Sequence, residues 1–340
     1  MNQHMRSKQS SKFNHVVRNI GYNLLLLFAA ILLLIPLIWP FEKLIGKKLR
    51  NIVYIKFFIT SKKLRKSIVY HGGLVILSTF WLIPVIWLMA SSLQTASGPN
   101  ILTFFPEHVT LENYVNLFFR TDDVAKFPTW FLNTFVVAVF TCLISTMFVL
   151  MVSYPMSRMR FSWRKPLMNI GVILGLFPGV LAMIAVYFIL KAAGLSGTLT
   201  ALIIVYSASS GLGYLVAKGF FDTIPKSLDE AAKIDGASQW DVFWKIIMPL
   251  SKPIIVYTVL LSFLAPWVDF FFARIIIPPT ESNRMTVAVG LFNMLERNLV
   301  NSYFATFTAG AVIVSIPIAA LFIIMQKFYV EGVTGGSVKG

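Results

Sequence analysis

The chain has 340 residues, 57% of them hydrophobic and 13% charged, with a mean hydropathy of +0.74. A soluble domain of this length needs far more charge to cover its surface, so composition excludes one. A net charge of +16 in so apolar a chain belongs to membrane-flanking loops and anionic lipid rather than to nucleic acid.

Apolar stretches of the length needed to cross a hydrocarbon core recur along the sequence. Seven are predicted, at about 21–40, 70–92, 130–152, 168–190, 198–217, 253–276 and 305–326. The first is too long for the core of a cleavable signal peptide, and no small-residue cleavage site follows it. It reads as a full span or as an interfacial segment with both flanks on one side.

Segment 41–69 carries nine basic residues, and the first 69 residues hold 13 of the 30 basic residues against one acid, Glu42. Residues 1–69 therefore read as a basic extension ahead of a core at 70–340. Its second half is either an amphipathic stretch on anionic lipid or an ordinary topology signal.

The short loop 153–167 adds Arg158, Arg160, Arg164 and Lys165 with no acid. Segment 93–129 sets Arg120 and Lys126 against Glu107, Glu112, Asp122 and Asp123. Alternation then puts 41–69, 153–167, 218–252 and the C-terminal tail 327–340 in the cytoplasm. Segments 93–129, 191–197 and 277–304 face outward.

Loop 218–252 is the polar anomaly of the core, with Asp229, Glu230, Asp235 and Asp241 close together. Ser227 and Glu230 have capping-box spacing after Pro225, which predicts a helix from about Leu228. Gly236 should end it by adopting positive φ. Ser238 with Asp241 predicts a second cap, for a helix carrying Trp240, Phe243, Trp244 and Ile247 and closed by Pro249. Ala231 and Ala232 leave room for a partner to approach, and the aromatics are of the kind enriched at binding hot spots. The bland alternative is an amphipathic connector lying on lipid headgroups.

Chemistry is sparse elsewhere. There is no G-x-x-x-x-G-K-[ST] motif, so the chain is not itself an ATPase. His4, His15, His71 and His108 are scattered without metal-ligand spacing, so no metal site is expected, and Cys142 is alone inside a span. Asp269 is the main carboxylate within the spans. It is a candidate for the substrate pathway, with an interfacial or locally paired position as the alternative.

The spacing in the loop carries a resemblance. Glu230-Ala231-Ala232, three residues, Gly236, nine residues and Ile246-x-Met248-Pro249 resemble the EAA loop of binding-protein-dependent ABC importer permeases, with Met248 in place of Leu. "KGFFDTIPKSLDEAAKIDGA", "LENYVNLF" at 111–118, "WFLNTFVVAV" at 130–139, "SRMRFSWRK" at 157–165 and the tail "VEGVTGGSVKG" are similar to the carbohydrate branch, especially the smaller permease subunit of maltodextrin-type systems. The likeness covers roughly 70–340.

It implies an all-α polytopic membrane protein with a six-span type I ABC importer permease core, here carrying one extra N-terminal hydrophobic segment. It implies contact with a separate ATPase through Glu230, Ala231, Ala232, Asp235, Gly236, Trp240, Phe243, Ile246 and Pro249. A Gly-rich tail, Gly332–Gly340, would reach the same subunit through Gly335, Gly336 and Lys339. The implied partners are a second homologous permease, two cytoplasmic ATPase subunits, an extracytoplasmic solute-binding protein and the lipid bilayer. No cofactor is expected on this chain, with ATP and Mg used by the partner ATPase. The expected cargo is a maltodextrin-like oligosaccharide, with another sugar or a polyol as the alternative. A stand-alone secondary transporter is the remote one, as neither a relay of ionisable groups nor an internal repeat is evident.

Overall fold

The computed structural model describes residues 62–95, 104–106, 108–119, 125–209, 213–278 and 280–335. The predicted segment 21–40, most of the basic extension, Gly336 and Lys339 lie outside them. The chain divides into two units, residues 1–86 and 87–340. Of the first, the described part is the start of one helix, α1 (Lys62–Ser92), which crosses into the second unit. This helix begins eight residues before the predicted span, so the end of the basic segment is helical rather than loop.

In the second unit a short helix, α2 (Glu112–Phe119), precedes the long central helix α3 (Phe127–Arg158). Pro128 suits the first turn of α3, where its missing N–H costs nothing. At 32 residues, α3 is about 48 Å long. It makes the most extensive helix–helix packing in the unit.

The predicted span 168–190 is two helices, α4 (Arg164–Gly175) and α5 (Gly179–Ala192), bent by 102°. The break falls at Phe177-Pro178. Proline has no amide donor and drives the residue before it out of the helical region, which the apolar run conceals from a hydropathy reading. Region 198–217 likewise divides into α6 (Leu199–Ala208) and α7 (Gly213–Thr223), bent by 42°. Thr198 caps α6, its hydroxyl accepting from Ala201 N.

Then come α8 (Lys226–Ile234) and α9 (Gln239–Leu250), which turns by 81° into α10 (Lys252–Val268). The predicted span 253–276 breaks at Asp269, and a separate helix, α11 (Phe271–Ile276), follows. After it come α12 (Val287–Asn293) and α13 (Val300–Gly335). Residues 332–335 of the Gly-rich tail continue α13. Three of the described helices are each long and apolar enough to span a membrane, and the three bent pairs raise that to as many as six.

Two apolar clusters form the core. One surrounds Phe127, Trp130, Trp267 and Ala309 at the N-terminal end of α3. The other, with Leu150, Tyr154, Phe221, Val242, Phe243 and Ile247, lies at its C-terminal end and seats the polar loop.

Candidate functional site

The loop 218–252 folds as two short helices joined by a tight turn. The first departs from its predicted cap. Pro225 is the N-cap of α8, no side chain caps the helix, and it starts at Lys226. Ser227 therefore lies inside the first turn, and the predicted Ser227–Glu230 capping box does not form. Proline fixes φ where a helix begins, so helical geometry starts before the serine is reached.

Within α8, Asp229 is buried and Ala232 packs on the apolar cluster beneath, one turn apart on the same face. Glu230 and Ala231 are exposed on the other side. The two alanines thus differ: Ala232 seats the helix, and Ala231 faces outward.

Gly236 has φ +84°, and Ala237 N closes the turn on Ala232 O at 2.9 Å. A residue with a Cβ is strained there, which accounts for the glycine. Ser238 and Asp241 form the predicted capping box reciprocally. The Lys245 ammonium at 2.6 Å and the Ser238 donors hold the Asp241 carboxyl down at about 2.

Residues Val242–Ile247 form a wide, π-helical turn before one last α-helical turn, Met248–Leu250. Pro249 sits within that final turn, so the helix ends one residue beyond it, and the chain bends at Ser251. A wide turn of this kind is frequent at functional sites.

The aromatic residues divide sharply. Trp240 is 58% exposed, whereas Phe243 is 3% exposed and packs on Tyr154 with ring centroids 5.0 Å apart. Phe243 therefore anchors the loop from below, and Trp240 stands on its outer face. Asp235 and Pro249 are exposed as well, and Ile246 is half-buried.

The last turn of α3 fastens the loop from beneath. Arg158 Nε lies 3.2 Å from Asp229 Oδ2, with side chains 3% and 9% exposed, and Arg158 Nη2 donates to Ile224 O at 2.9 Å. Removing one member of so buried a pair costs about 3–5 kcal/mol, because the other charge is left without its counter-ion. Ser157 donates to Asp222 Oδ1 at 2.6 Å, and the Tyr154 hydroxyl donates to Gln239 Oε1 at 2.9 Å.

Sequence reading missed these three α3 residues. Arg158 counts there as one of four loop charges. Its partner lies on a different element, and nothing local separates it from Arg160 or Arg164.

Asp269 occupies a different place, at the break between α10 and α11. Its Oδ2 accepts from the Tyr206 hydroxyl at 2.5 Å and from Ala273 N at 2.9 Å. The carboxylate caps α11 and ties it to α6. Arg274, five residues on, turns instead to Asn293 at 2.6 Å and Glu296 at 3.3 Å. Among the described residues no group of His, Cys, Asp or Glu could hold a metal ion.

Among the described residues, several apolar helices and a polar loop fastened to the C-terminal end of α3, with one face exposed, define a class: a helical multi-pass membrane protein. Residues 150–334 match the family model for the binding-protein-dependent transport system inner membrane component. The chain is 33% identical over 258 residues to the galactooligosaccharides transport system permease protein GanQ of Bacillus subtilis (strain 168), covering 76% of this chain and 90% of that one. It is 30% identical to the maltodextrin transport system permease protein MdxG of the same organism, over 83% and 99% of the two chains. A bacterial ABC transporter involved in the import of the acidic polysaccharide alginate shares the fold, with a TM-score of 0.65, 24% identity, and coverage of 79% and 98%.

The chain belongs to the binding-protein-dependent transport system inner membrane component family. It is a multi-pass permease subunit of an ABC importer, a transport component and not an enzyme.

Proposed function

We propose that this chain forms half of the translocation pathway of an ATP-driven carbohydrate importer and that loop 218–252 is its coupling element. In this reading two short helices dock into a cytoplasmic ATPase subunit, and the nucleotide cycle moves them. The observation that carries it is the exposed face of Glu230, Ala231, Asp235, Gly236 and Trp240, which α3 holds from behind in a loop of EAA spacing. A connector resting on lipid has no use for a buried ion pair to a neighbouring helix.

The complete machine then comprises a second homologous permease, two ATPase subunits that use ATP and Mg, and an extracytoplasmic solute-binding protein. The loop and C-terminus face the cytoplasm. The end of α13 with Gly335, and beyond it Gly336 and Lys339, is offered to the same ATPase.

The cargo in this reading is a maltodextrin-like oligosaccharide, with another sugar or a polyol as the alternative. The relatives named for galactooligosaccharides and maltodextrin support a carbohydrate. Asp269 stands beside the pathway, and a lone pair remaining on its carboxylate can accept from a sugar hydroxyl.

Purification of the chain with its neighbours tests the reading, with an associated ATPase as the expected result. Glu230→Lys and Gly236→Asp should abolish transport while the chain stays in the membrane. Transport that persists without any ATPase would sink the importer assignment. Binding of maltodextrins, galactooligosaccharides and polyols to the cognate solute-binding protein decides the cargo.

A further inference from the structure

The helix that fastens the loop at one end also fastens a second segment at the other. At the N-terminal end of α3, Trp130 Nε1 donates to Ser282 O at 2.8 Å. Asn133 Nδ2 donates to Asn283 O at 2.9 Å and to Met285 O at 3.0 Å. Thr134 Oγ1 accepts from Val287 N at 2.7 Å, so α12 is capped by a side chain from another helix. At the C-terminal end, Arg158 holds Asp229 and Ile224. Between the two ends α3 is one continuous helix, with Pro155 one turn before Arg158.

We propose that Arg158 is a positioning residue for coupling. Its buried pairing with Asp229 and its bond to Ile224 lock the loop to α3, so a displacement of the loop's exposed face reaches segment Ser282–Asn293 along one continuous helix. The proposal rests on the reading of loop 218–252 as the ATPase contact.

Three features set Arg158 apart from an ordinary basic residue at a membrane boundary. Its side chain is almost fully buried, whereas an arginine that only fixes topology reaches water or headgroups. Its counter-ion is on α8, next in sequence to Glu230, so the inner and outer faces of one helical turn carry the latch and the contact surface. Its second bond goes to the carbonyl just before Pro225, the residue at which α8 begins. A loop held at both its start and its first turn cannot swing independently of α3. Without the pair, the loop can yield to the ATPase while α3 stays still.

The test uses the whole complex in lipid vesicles, with the binding protein present or absent and a maltodextrin mixture as probe. The quantity read is the ratio of ATP hydrolysis with loaded binding protein to hydrolysis without it. In Arg158→Gln this ratio should fall to within two-fold of one, with at least half of the basal hydrolysis per assembled complex retained. The conservative variant Arg158→Lys, whose ammonium can donate to both Asp229 and Ile224 O, should keep at least half of the wild-type ratio. A wild-type ratio in Arg158→Gln overturns the proposal, and so does an equal loss in Arg158→Lys. If Arg158→Gln fails to assemble, Asp229→Asn takes its place under the same two criteria. A Glu230→Lys complex that keeps the wild-type ratio overturns the coupling reading itself, whereas loss in Glu230→Lys with none in Arg158→Gln overturns the latch alone.

Discussion

The hydroxyl of Thr134 donates to Trp130 O in its own helix at 2.9 Å and accepts the amide of Val287 at 2.7 Å. Both residues are fully buried. The first amides of a helix have no partner within it, so α12 depends on a hydroxyl supplied from α3. Thr134→Val keeps the shape and leaves that amide without an acceptor, which should cost about 1–3 kcal/mol. Thr134→Ser should cost less. Unfolding of the purified chain in mixed detergent checks both.

Gly290 lies directly against Trp130. A Cβ placed on Gly290 would come within 2.1 Å of indole Cε3, and the indole is buried and hydrogen-bonded, so it cannot retreat. Gly290→Ala should therefore destabilise by about 1–3 kcal/mol through overpacking. Gly72→Ala, where nothing lies within 4 Å, is the matched control and should show no such loss.

The turn at Gly236 predicts a graded series. The site is open, so the strain of positive φ is the whole cost of a side chain there. Gly236→Ala should lose about 1 kcal/mol, and Gly236→Asn less, as asparagine tolerates this conformation best among the rest. Equal effects for the two would mean that bulk at the surface matters more than backbone strain.

Trp240 and Phe243 should separate docking from folding. Phe243→Ala empties a buried site and should cost about 3–5 kcal/mol of chain stability. Trp240→Ala should change stability by no more than about 0.5 kcal/mol, yet lower recovery of the ATPase with the purified chain at least several-fold. Normal recovery would remove Trp240 from the contact surface.

Asp269→Asn retains an acceptor for Tyr206 and the α11 amides, so the fold should survive. Asp269→Ala strips them and should cost about 1–3 kcal/mol. If the carboxylate also touches sugar, Asp269→Asn should reduce uptake at unchanged stability. Unchanged uptake would leave Asp269 with its capping role alone.

What could be read from sequence was local. The turn at Gly236 and the cap at Ser238–Asp241 depend on residues within one helical turn, and both formed as expected. The Ser227–Glu230 box had the same pattern and failed, because Pro225 started the helix earlier and Asp229 was drawn inward to Arg158. Hydropathy found the apolar stretches but not the 102° break at Pro178, since the residues around it are as greasy as the helices they interrupt. The Arg158–Asp229 pair had no signal at all. It joins two segments that become neighbours only when α3 and the loop pack, and each charge had an adequate local explanation. Trp240 and Phe243 looked equivalent for a related reason: pattern gives aromatic character, and only packing says which ring faces the core.

The wide turn at Val242–Ile247 has a bearing on how this loop tolerates change in length. Such a turn accommodates one residue more than an ordinary helical turn, so it holds slack. Deleting a single residue within it can be absorbed by tightening to the regular winding, with Met248 and the bend at Ser251 left pointing as before. The same deletion in α8 has no slack to draw on and would rotate everything beyond it by about 100°. A chain shortened by one residue at the wide turn should therefore still fold, whereas one shortened in α8 should not.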